Sequence, residues 1–488
     1  MRRVLPLAIL VVLLCAGAAQ AFDGGREADN FTKINERFAD GESSPDFQAQ
    51  LALQSLNGTV GLAQALQANP NRLPANPCAA ELDLCAGDPR LYDWKGKYGV
   101  VRPVHYVNRN GALISAHVWA PLPRRGEPIH RMPAVLIVNG DLAPENLYWY
   151  AAQAIARSGY VVMTFDPQGH GASDTYGTGD DRDRHVAIQQ SAGGGASEAA
   201  ADEDAAEQTR DALRFLLSSR SQPYLPRRTP GHAGPADSPG RIKQRQSAKA
   251  GTADAYDPLR RLLTAREVGL AGHSRGADAA SIVGARDSRI KAIVAWDNLM
   301  ATTSPDDNGN VKPLHPRVPA LGMSADYYEA PQPFTADPPP LDKLAGFDAY
   351  RKAGIDSMEV VVRGGTHYEW SYAPGLPATL RGIDMATWYS QAWFDRYLKG
   401  PGHPAIRRAA DTRLLSNRWL HDPAEAAVDS LHDGNLLSFY YRSRLAIHAD
   451  NRVVRCGNLR AGCRWLVPKA KDGYPGEYSY LRARQGGR

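Results

Sequence analysis

The chain has 488 residues, of which 43% are hydrophobic and 22% are charged. This composition supports a large apolar core and excludes a chain that is disordered along most of its length. A formal net charge of +5 is too small, for this length, to indicate binding to nucleic acid or to an anionic membrane surface.

The first 21 residues have the features of a secretory signal peptide. Arg2 and Arg3 precede an apolar run over residues 4–15, and Ala19-Gln20-Ala21 provides a cleavage site of the small-x-small type. The apolar run is too short to span a bilayer. We therefore expect cleavage after Ala21, a secreted or periplasmic protein, and no stable insertion into a membrane. Loss of Arg2 and Arg3 lowers the formal net charge from +5 to +3.

Four cysteines remain once Cys15 leaves with the signal, and they form two close pairs, Cys78/Cys85 and Cys456/Cys463. An even number of cysteines in an exported chain predicts disulfides. Three connectivities are open, of which we favour the two local loops. Zinc binding is the alternative, although neither pair has the CxxC spacing that is common at zinc sites.

Residues 22–95 are predicted to be a polar N-terminal extension, helical over residues 46–67 and closed by the first cysteine pair. The main domain is predicted over residues 96–400. It begins with two β-rich runs, at 101–107 and 113–119, around Asn108-Arg109-Asn110-Gly111. An Asn-Gly step between such runs predicts a hairpin.

After the hairpin, short apolar runs alternate with longer segments of helical spacing. The apolar runs predict strands at 134–138, 160–165, 268–271, 292–296, 320–323 and 359–362. The longer segments predict helices at 147–158, 198–218, 277–285, 341–352 and 380–399. Apolar, β-branched strands separated by amphipathic helices indicate an α/β fold with a mostly parallel sheet covered on both faces.

Two segments depart from this alternation. Residues 222–254 are basic and dense in Pro, Gly and Ser, a composition that predicts a flexible, solvated insertion. A lid or a basic docking patch is the alternative for this segment. Residues 401–488 form a C-terminal extension with the second cysteine pair, and the sequence leaves open whether it packs on the sheet edge or beside a functional site.

The strongest chemical signal lies around Ser274. The predicted strand 268–271 leads into Gly272-His273-Ser274-Arg275-Gly276 and then into a predicted helix, so a G-x-S-x-G motif stands at a strand-to-helix turn. A serine at such a turn has a strained backbone that exposes its hydroxyl, and the flanking glycines prevent a collision across the turn. The helix start adds free N–H groups and a positive dipole end. We therefore predict that Ser274 is a nucleophile.

A serine nucleophile needs a base within hydrogen-bond reach. The predicted strand 359–362 runs into Arg363-Gly364-Gly365-Thr366-His367, where the glycine pair lets the loop turn back over the end of the sheet. This position favours His367 as the base. His273 neighbours the nucleophile but is expected to point elsewhere, and His170 lies in a glycine-rich turn to which we assign a structural role.

Two carboxylates compete to orient the imidazole and stabilise its charged form. Asp297 directly follows the predicted strand 292–296, and Asp326 follows the strand 320–323. Both satisfy the order Ser, acid, His along the chain. The later strand is the more common source of the acid, which by itself favours Asp326.

These segments together resemble the secreted platelet-activating factor acetylhydrolases, which are serine esterases of the α/β-hydrolase superfamily. The likeness covers about residues 133–370 and rests on Gly-His-Ser-x-Gly at Ser274, on the strand ending in Asp297, and on the runs 324–328 and 362–367. It implies the α/β-hydrolase fold and Asp297 as the acid, and Asp326 stays the alternative. The bacterial cutinase-like polyesterases have a similar layout but take the acid from the later strand, at a position near Tyr328 here.

Acyl transfer also requires N–H donors for the carbonyl oxygen of the substrate. One donor is expected to be the backbone of Arg275. The resemblance aligns Gly140 with a glycine of the family and thereby implies the N–H of Asp141 as the second donor. If the side chain of Asp141 points towards the oxyanion, the assignment shifts to Leu142.

Aromatic residues are clustered near the loops that are expected to surround the site: Tyr148, Trp149, Tyr150, Tyr368 and Trp370. Their position predicts a pocket rim that binds an acyl chain or an aryl group. A place in the apolar core is the equal alternative.

The sequence thus predicts a serine hydrolase that cleaves carboxylic esters of the short-chain, lipid or polyester type through Ser274, His367 and Asp297. A small-molecule or lipid ester is the expected substrate, and we expect no cofactor, metal or nucleic-acid partner. A peptidase or acyltransferase with the same triad is one alternative. A non-catalytic binding protein on a hydrolase scaffold is another.

Overall fold

The computed structural model describes residues 24–68, 94–121, 130–178, 197–228, 237–328, 340–415, 435–449 and 452–463. Residues 1–21, assigned above to the signal peptide, lie outside these ranges, as do Cys78 and Cys85 of the first predicted disulfide. Across the described ranges, no helix is both long enough and apolar enough to cross a membrane.

A single mixed sheet forms the centre of the described protein. Its strands are β1 (Gly99–Val107), β2 (Leu113–Pro121), β3 (Met132–Val138), β4 (Val161–Phe165), β5 (Leu263–His273), β6 (Ile290–Trp296), β7 (Ala320–Ala325), β8 (Ser357–Val362), β9 (Arg444–Ala449) and β10 (Arg452–Cys456). Their order in the sheet is β1-β2-β4-β3-β5-β6-β7-β8-β9-β10. The strands from β4 to β8 in this order run parallel, and antiparallel pairs flank them on both sides. The protein is therefore an α/β protein with a mostly parallel central sheet.

The helices of the described ranges surround this sheet. They are α1 (Gly24–Lys33), α2 (Pro45–Ala68), α3 (Trp149–Arg157), α4 (Glu198–Leu216), α5 (Pro239–Ala250), α6 (Arg275–Arg286), α7 (Pro340–Lys352), α8 (Gly382–Phe394) and α9 (Pro404–Leu415). Short helical turns occur at Arg37–Glu42, Glu145–Tyr148, Arg260–Leu262, His367–Trp370 and Asp395–Lys399.

The central strands are buried on both faces because successive side chains of a strand point to opposite sides of the sheet. Val135 and Ile137 of β3 belong to an apolar cluster with α3, α8 and α9. Ala134 and Leu136 of the same strand belong to a second cluster with α4 and α6 on the other face. Burial on both faces explains why these strands are nearly continuous apolar runs in the sequence.

The predicted strands and helices of the main domain are confirmed, with ends that shift by a few residues. The hairpin is also confirmed, since β1 pairs antiparallel with β2 and Gly111 in the turn has a φ of 86°. The helix predicted at 46–67 is α2. The strand β5 is longer than predicted and begins at Leu263. The sequence did not reveal its first half because polar and apolar residues are mixed there.

Within the flexible insertion predicted at 222–254, the structure describes residues 222–228 and 237–254, and the prediction is wrong for the second of these ranges. Residues Pro239–Ala250 form α5, which lies against β1 and the hairpin turn. Gln244 accepts a hydrogen bond of 2.7 Å from the N–H of Val107, and Lys243 donates one of 2.6 Å to the carbonyl of Gly111. Composition concealed this packing because the side chains that make the contacts are themselves polar.

The described part of the C-terminal extension continues the same sheet. The strand β9 pairs antiparallel with β8, and β10 pairs with β9. Cys456, at the end of β10, forms a disulfide with Cys463, which is the local pairing that we favoured. This part of the chain therefore covers the sheet edge, one of the two positions that the sequence left open.

Candidate active site

The predicted polar residues lie at one edge of the sheet. Ser274 directly follows β5, Asp297 directly follows β6, Asp326 directly follows β7, and His367 follows β8 after a short loop. Parallel strands end at the same edge, and the crevice outside their carboxyl ends is the usual ligand site of such sheets. The topology therefore brings residues that are far apart in the sequence to one place.

Ser274 occupies a strained strand-to-helix turn. Its backbone has φ 54° and ψ −125°, a combination that is costly for a residue other than glycine, and α6 begins at the next residue. A side chain at Gly272 would overlap the carbonyl of Gly276, and one at Gly276 would overlap the carbonyl of Val138. The glycines are thus required by the close approach of backbone segments around the serine.

His367 is paired with Asp297. Its Nδ1 lies 2.7 Å from Oδ2 of Asp297, and its backbone N–H donates a 2.7 Å hydrogen bond to the carbonyl of Tyr328. Burial alone would raise the pKa of Asp297, but the hydrogen bond and positive charge of His367 hold that pKa below its ordinary value. Because an ionised carboxylate only accepts hydrogen bonds, Nδ1 of His367 carries a proton.

Asp326 has a different partner. Its Oδ2 accepts a hydrogen bond of 2.8 Å from the N–H of Gly364, and the side chain is buried. Gly364 belongs to the loop between β8 and His367 and has a φ of 65°. Asp326 therefore supports this loop, whereas Asp297 contacts the imidazole itself.

Ser274 and His367 are connected through His273, the last residue of β5. Nε2 of His273 lies 2.9 Å from the carbonyl oxygen of His367, and the centroids of the two rings are 4.6 Å apart. Among the described residues, the hydroxyl of Ser274 makes no hydrogen bond to His367. Such bonds are often long in structures without substrate.

The loop after β3 contains a backbone N–H that has no acceptor among the described residues. The N–H of Gly140 donates to the hydroxyl of Tyr148 at 3.0 Å, and the N–H of Leu142 donates to Nε2 of His170 at 2.8 Å. Within the parts of the chain that the structure describes, the N–H of Asp141 donates no hydrogen bond. The N–H of Leu142 is therefore already engaged, whereas the N–H of Asp141 has no acceptor among the described residues.

The side chain of Asp141 is directed to Arg275. Nε of Arg275 lies 3.2 Å from its Oδ2, and the same guanidinium contacts Asp202 at 2.8 Å and Glu198 at 3.0 Å. Burial alone would raise the pKa of Asp141, but contacts with His170 and Arg275 hold it well below its usual range. The backbone N–H of Arg275 is at the first position of α6, where a helix offers no acceptor.

The aromatic rim predicted from the sequence is largely part of the core. Tyr148, Tyr150 and Trp370 are fully buried in the apolar cluster between the sheet and α3, so the prediction is wrong for these residues. Trp149 is half-buried against the same cluster. Tyr368 lies beside His367, with 6.0 Å between the ring centroids. Spacing along the chain did not show which aromatic side chains face the sheet.

The N-terminal segment contributes a residue that the sequence did not point to. Arg37 is fully buried, and its guanidinium donates hydrogen bonds of 2.9 Å to the carbonyls of Tyr368 and Ser371. Glu42, in the same segment, accepts a 2.9 Å hydrogen bond from the N–H of Gly375. These contacts hold the turn that begins at His367. A single arginine in a polar segment carries no sequence signal for such a role.

A buried acid lies in the sheet below the site. Glu359 of β8 is fully buried, and its Oε1 accepts a 2.7 Å hydrogen bond from the hydroxyl of Ser324. A side chain at Gly322 would overlap Oε2 of Glu359, so the glycine provides the space. Burial raises the pKa of Glu359 to about 8, with a further contribution from the negative charge of Asp297. The side chain is therefore protonated at neutral pH.

No protein-family model matches the chain, and a search of curated proteins finds no match either. In the residues that the structure describes, no group of three or more His, Cys, Asp or Glu side chains is arranged to hold a metal ion.

Replacement of Arg37 by leucine removes the donors for two buried carbonyls. We expect the free energy of unfolding to fall by about 2 kcal/mol or more, because hydrogen bonds to charged groups contribute ~1.5–3 kcal/mol each. Urea denaturation measures the change. Arg286→Leu is the matched control, since its ion pair with Glu203 is exposed, and we expect a change within about 0.5 kcal/mol. Equal losses in the two variants would contradict the role of Arg37.

Replacement of Glu359 by glutamine should change how stability depends on pH. The pKa of Glu359 is near the ordinary glutamate value of 4.5 in the unfolded chain, whereas burial raises this pKa to about 8 in the folded protein. Its contribution to stability is complete below pH 4.5 and is lost as the pH rises to about 8. Glu359→Gln should therefore gain stability relative to the parent over this range. Calorimetry at pH 5, 6, 7 and 8 measures the difference, and a constant difference would contradict the buried, protonated state.

Proposed function

We propose that the protein is a serine hydrolase with the α/β-hydrolase fold that cleaves carboxylic esters. The observation that carries this proposal is the combination of a strained serine turn at Ser274 with an imidazole–carboxylate pair, His367 and Asp297, at the same sheet edge. The chain order Ser, Asp, His and the position of Ser274 between β5 and α6 agree with the nucleophile turn of this fold. The flanking antiparallel strands β1 and β2 agree with its plan.

In the proposed reaction, the hydroxyl of Ser274 attacks the ester carbonyl while Nε2 of His367 accepts the hydroxyl proton. The resulting tetrahedral intermediate carries its negative charge on the former carbonyl oxygen. His367 then gives the proton to the leaving alkoxide, the C–O bond breaks, and an acyl-serine remains. A water molecule attacks this acyl-serine in the same way, with His367 first as base and then as acid, and releases the carboxylic acid.

Two backbone donors serve the oxyanion in this proposal. They are the N–H of Arg275, at the start of α6, and the N–H of Asp141, in the loop after β3. Fixed donors of this kind stabilise the transition state by about 3–4 kcal/mol each. A carboxylate near an oxyanion would be unfavourable. The contact between the side chains of Asp141 and Arg275 supports the assignment, because it directs that carboxylate away and compensates its charge.

Asp297 is the acid of the proposed triad. Its carboxylate accepts the Nδ1 proton of His367 at 2.7 Å, which fixes the tautomer and stabilises the imidazolium that forms during attack. Asp326 has the role of supporting the loop through Gly364.

The site of action is proposed to lie outside the cytoplasm, after cleavage of the signal peptide. The disulfide between Cys456 and Cys463 supports an oxidising compartment. The substrate is proposed to be a small-molecule or lipid ester. A short or oxidised acyl ester is the class that the family resemblance implies, and a polyester is the variant that the cutinase-like layout implies.

Hydrolysis of p-nitrophenyl esters from acetate to palmitate tests the nucleophile. The mature protein should hydrolyse part of this series, and Ser274→Ala should lower kcat by at least about 10,000-fold, because the covalent route is lost. The matched control is Ser288→Ala, an exposed serine beyond α6, which should keep the parental rate.

A fluorophosphonate probe provides a second measurement with the same proteins. We expect it to label the parent and Ser288→Ala but not Ser274→Ala. A folded parent that neither hydrolyses the esters nor reacts with the probe would favour the non-catalytic binding protein. Labelling with no ester hydrolysis would favour a peptidase or an acyltransferase.

A comparison of Asp297→Asn with Asp326→Asn distinguishes the two carboxylates. Asparagine at 297 leaves Nδ1 of His367 without an ionised acceptor, and we expect kcat to fall by about 10,000-fold. Asparagine at 326 keeps an oxygen that accepts from the N–H of Gly364, so we expect a loss of about tenfold or less. Steady-state kinetics on the preferred ester measure both. A larger loss for Asp326→Asn would contradict the assignment of the acid.

A further inference from the structure

The hydroxyl of Tyr148 lies between the loop after β3 and the residue that precedes the nucleophile. It accepts a 3.0 Å hydrogen bond from the N–H of Gly140, and it lies 2.8 Å from Nδ1 of His273. Both side chains are buried. Since the hydroxyl already accepts from Gly140, its own proton is available for His273.

The opposite nitrogen of His273 determines which way these bonds run. Nε2 of His273 lies 2.9 Å from the carbonyl oxygen of His367, which can only accept, so Nε2 carries a proton. Nδ1 is then the acceptor for the hydroxyl of Tyr148, and the ring is neutral. Burial lowers the pKa of His273 to about 3, and the neighbouring His367 acts in the same direction. A single neutral tautomer of His273 therefore gives a hydrogen-bond partner to both of its ring nitrogens and to the hydroxyl of Tyr148.

These hydrogen bonds form a hydrogen-bonded chain that joins three segments of the candidate site. The hydrogen-bonded chain starts at the N–H of Gly140, passes through Tyr148 and His273, and ends at the carbonyl of His367. A Cβ atom at Gly140 would lie 3.1 Å from Nδ1 of His273, 3.2 Å from the hydroxyl of Tyr148 and 3.3 Å from Cβ of Ser274. The loop that carries the N–H of Asp141 is thus packed directly against the nucleophile and the hydrogen-bonded chain.

We propose that Tyr148 and His273 are positioning residues, whose hydrogen bonds hold the N–H of Asp141 and the imidazole of His367 in one geometry around Ser274. This inference rests on the proposed function. Neither side chain is exposed to a substrate, so their effect is exerted through the two loops. Donors that are preorganised for the oxyanion account for much of the rate in acyl transfer, and a misplacement of about 1 Å costs about 100-fold.

Replacement of Tyr148 by phenylalanine keeps the ring in the core and removes the hydroxyl alone. We expect kcat on the preferred ester to fall by roughly 10- to 100-fold, with KM within about twofold of the parent, because the transition state is affected and the substrate contacts are not. Tyr224→Phe is the matched control. Its hydroxyl is also buried and donates to a backbone carbonyl, that of Val107 at 3.1 Å, away from the loops of the site.

The control separates positioning from stability. Each variant loses one buried tyrosine hydroxyl that contacts the backbone, so a similar loss of stability is expected in both. A loss of kcat in Tyr148→Phe but not in Tyr224→Phe supports the inference. Parental kcat and KM in a folded Tyr148→Phe would overturn it, as would an equal loss of kcat in the control.

A second measurement is independent of activity. In protein labelled with 15N-histidine, the resonances of His273 are those missing from the His273→Gln variant. We expect the Nε2–H tautomer, no titration between pH 5 and 9, and a shift of the Nδ1 resonance in Tyr148→Phe as its hydrogen bond is lost. An Nδ1–H tautomer, or a ring that titrates near pH 6.5, would overturn the hydrogen-bonded chain.

The two measurements separate failure of the inference from failure of the proposed function. An active parent with an unaffected Tyr148→Phe variant overturns the positioning role and leaves the esterase proposal intact. A parent that is inactive on all esters and unreactive with fluorophosphonate overturns the proposed function. It also overturns the positioning role of the hydrogen-bonded chain in catalysis. The tautomer of His273 then still decides whether the hydrogen bonds exist.

Discussion

The parallel alignment of the central strands is the constraint on which the candidate site depends. Because β3, β5, β6, β7 and β8 all end at the same edge, the loops that follow them converge within contact distance. Apolar cores on both faces hold these strands in register, and the lack of side chains at Gly272 and Gly276 permits the close backbone packing around the strained Ser274. The cost of that strain, of order 1–3 kcal/mol, is offset by the surrounding packing.

Several of the polar side chains that are buried at this edge have specific partners. Asp297 is ionised against His367, Asp326 accepts from a backbone N–H, and His273 is neutral with a partner on each nitrogen. An unpaired buried polar group would cost roughly 1–3 kcal/mol. The pKa values of Asp297 and Glu359 shift in opposite directions for the same reason: the carboxylate of Asp297 has the imidazole of His367 as its partner, whereas Glu359 has only the hydroxyl of Ser324.

The described parts of the N-terminal and C-terminal segments contact different parts of the molecule. Strands β9 and β10 extend the sheet at one edge and are closed by the disulfide. The N-terminal segment instead reaches the turn of His367 through Arg37 and Glu42. A segment remote in sequence therefore helps to hold the candidate base.

The sequence by itself determined the strands and helices of the main domain, because period-2 and period-3.6 patterns reflect burial that each element experiences locally. It also predicted Ser274 as a nucleophile and His367 as its base, since a glycine-bracketed serine and a glycine-preceded histidine follow recognisable strands. Only the tertiary structure decided between Asp297 and Asp326 as the partner of the imidazole, placed Tyr148 in the core, and brought Arg37 to the site. These outcomes depend on side-chain direction and on contacts between residues far apart in the chain, and a single sequence encodes neither in a local pattern.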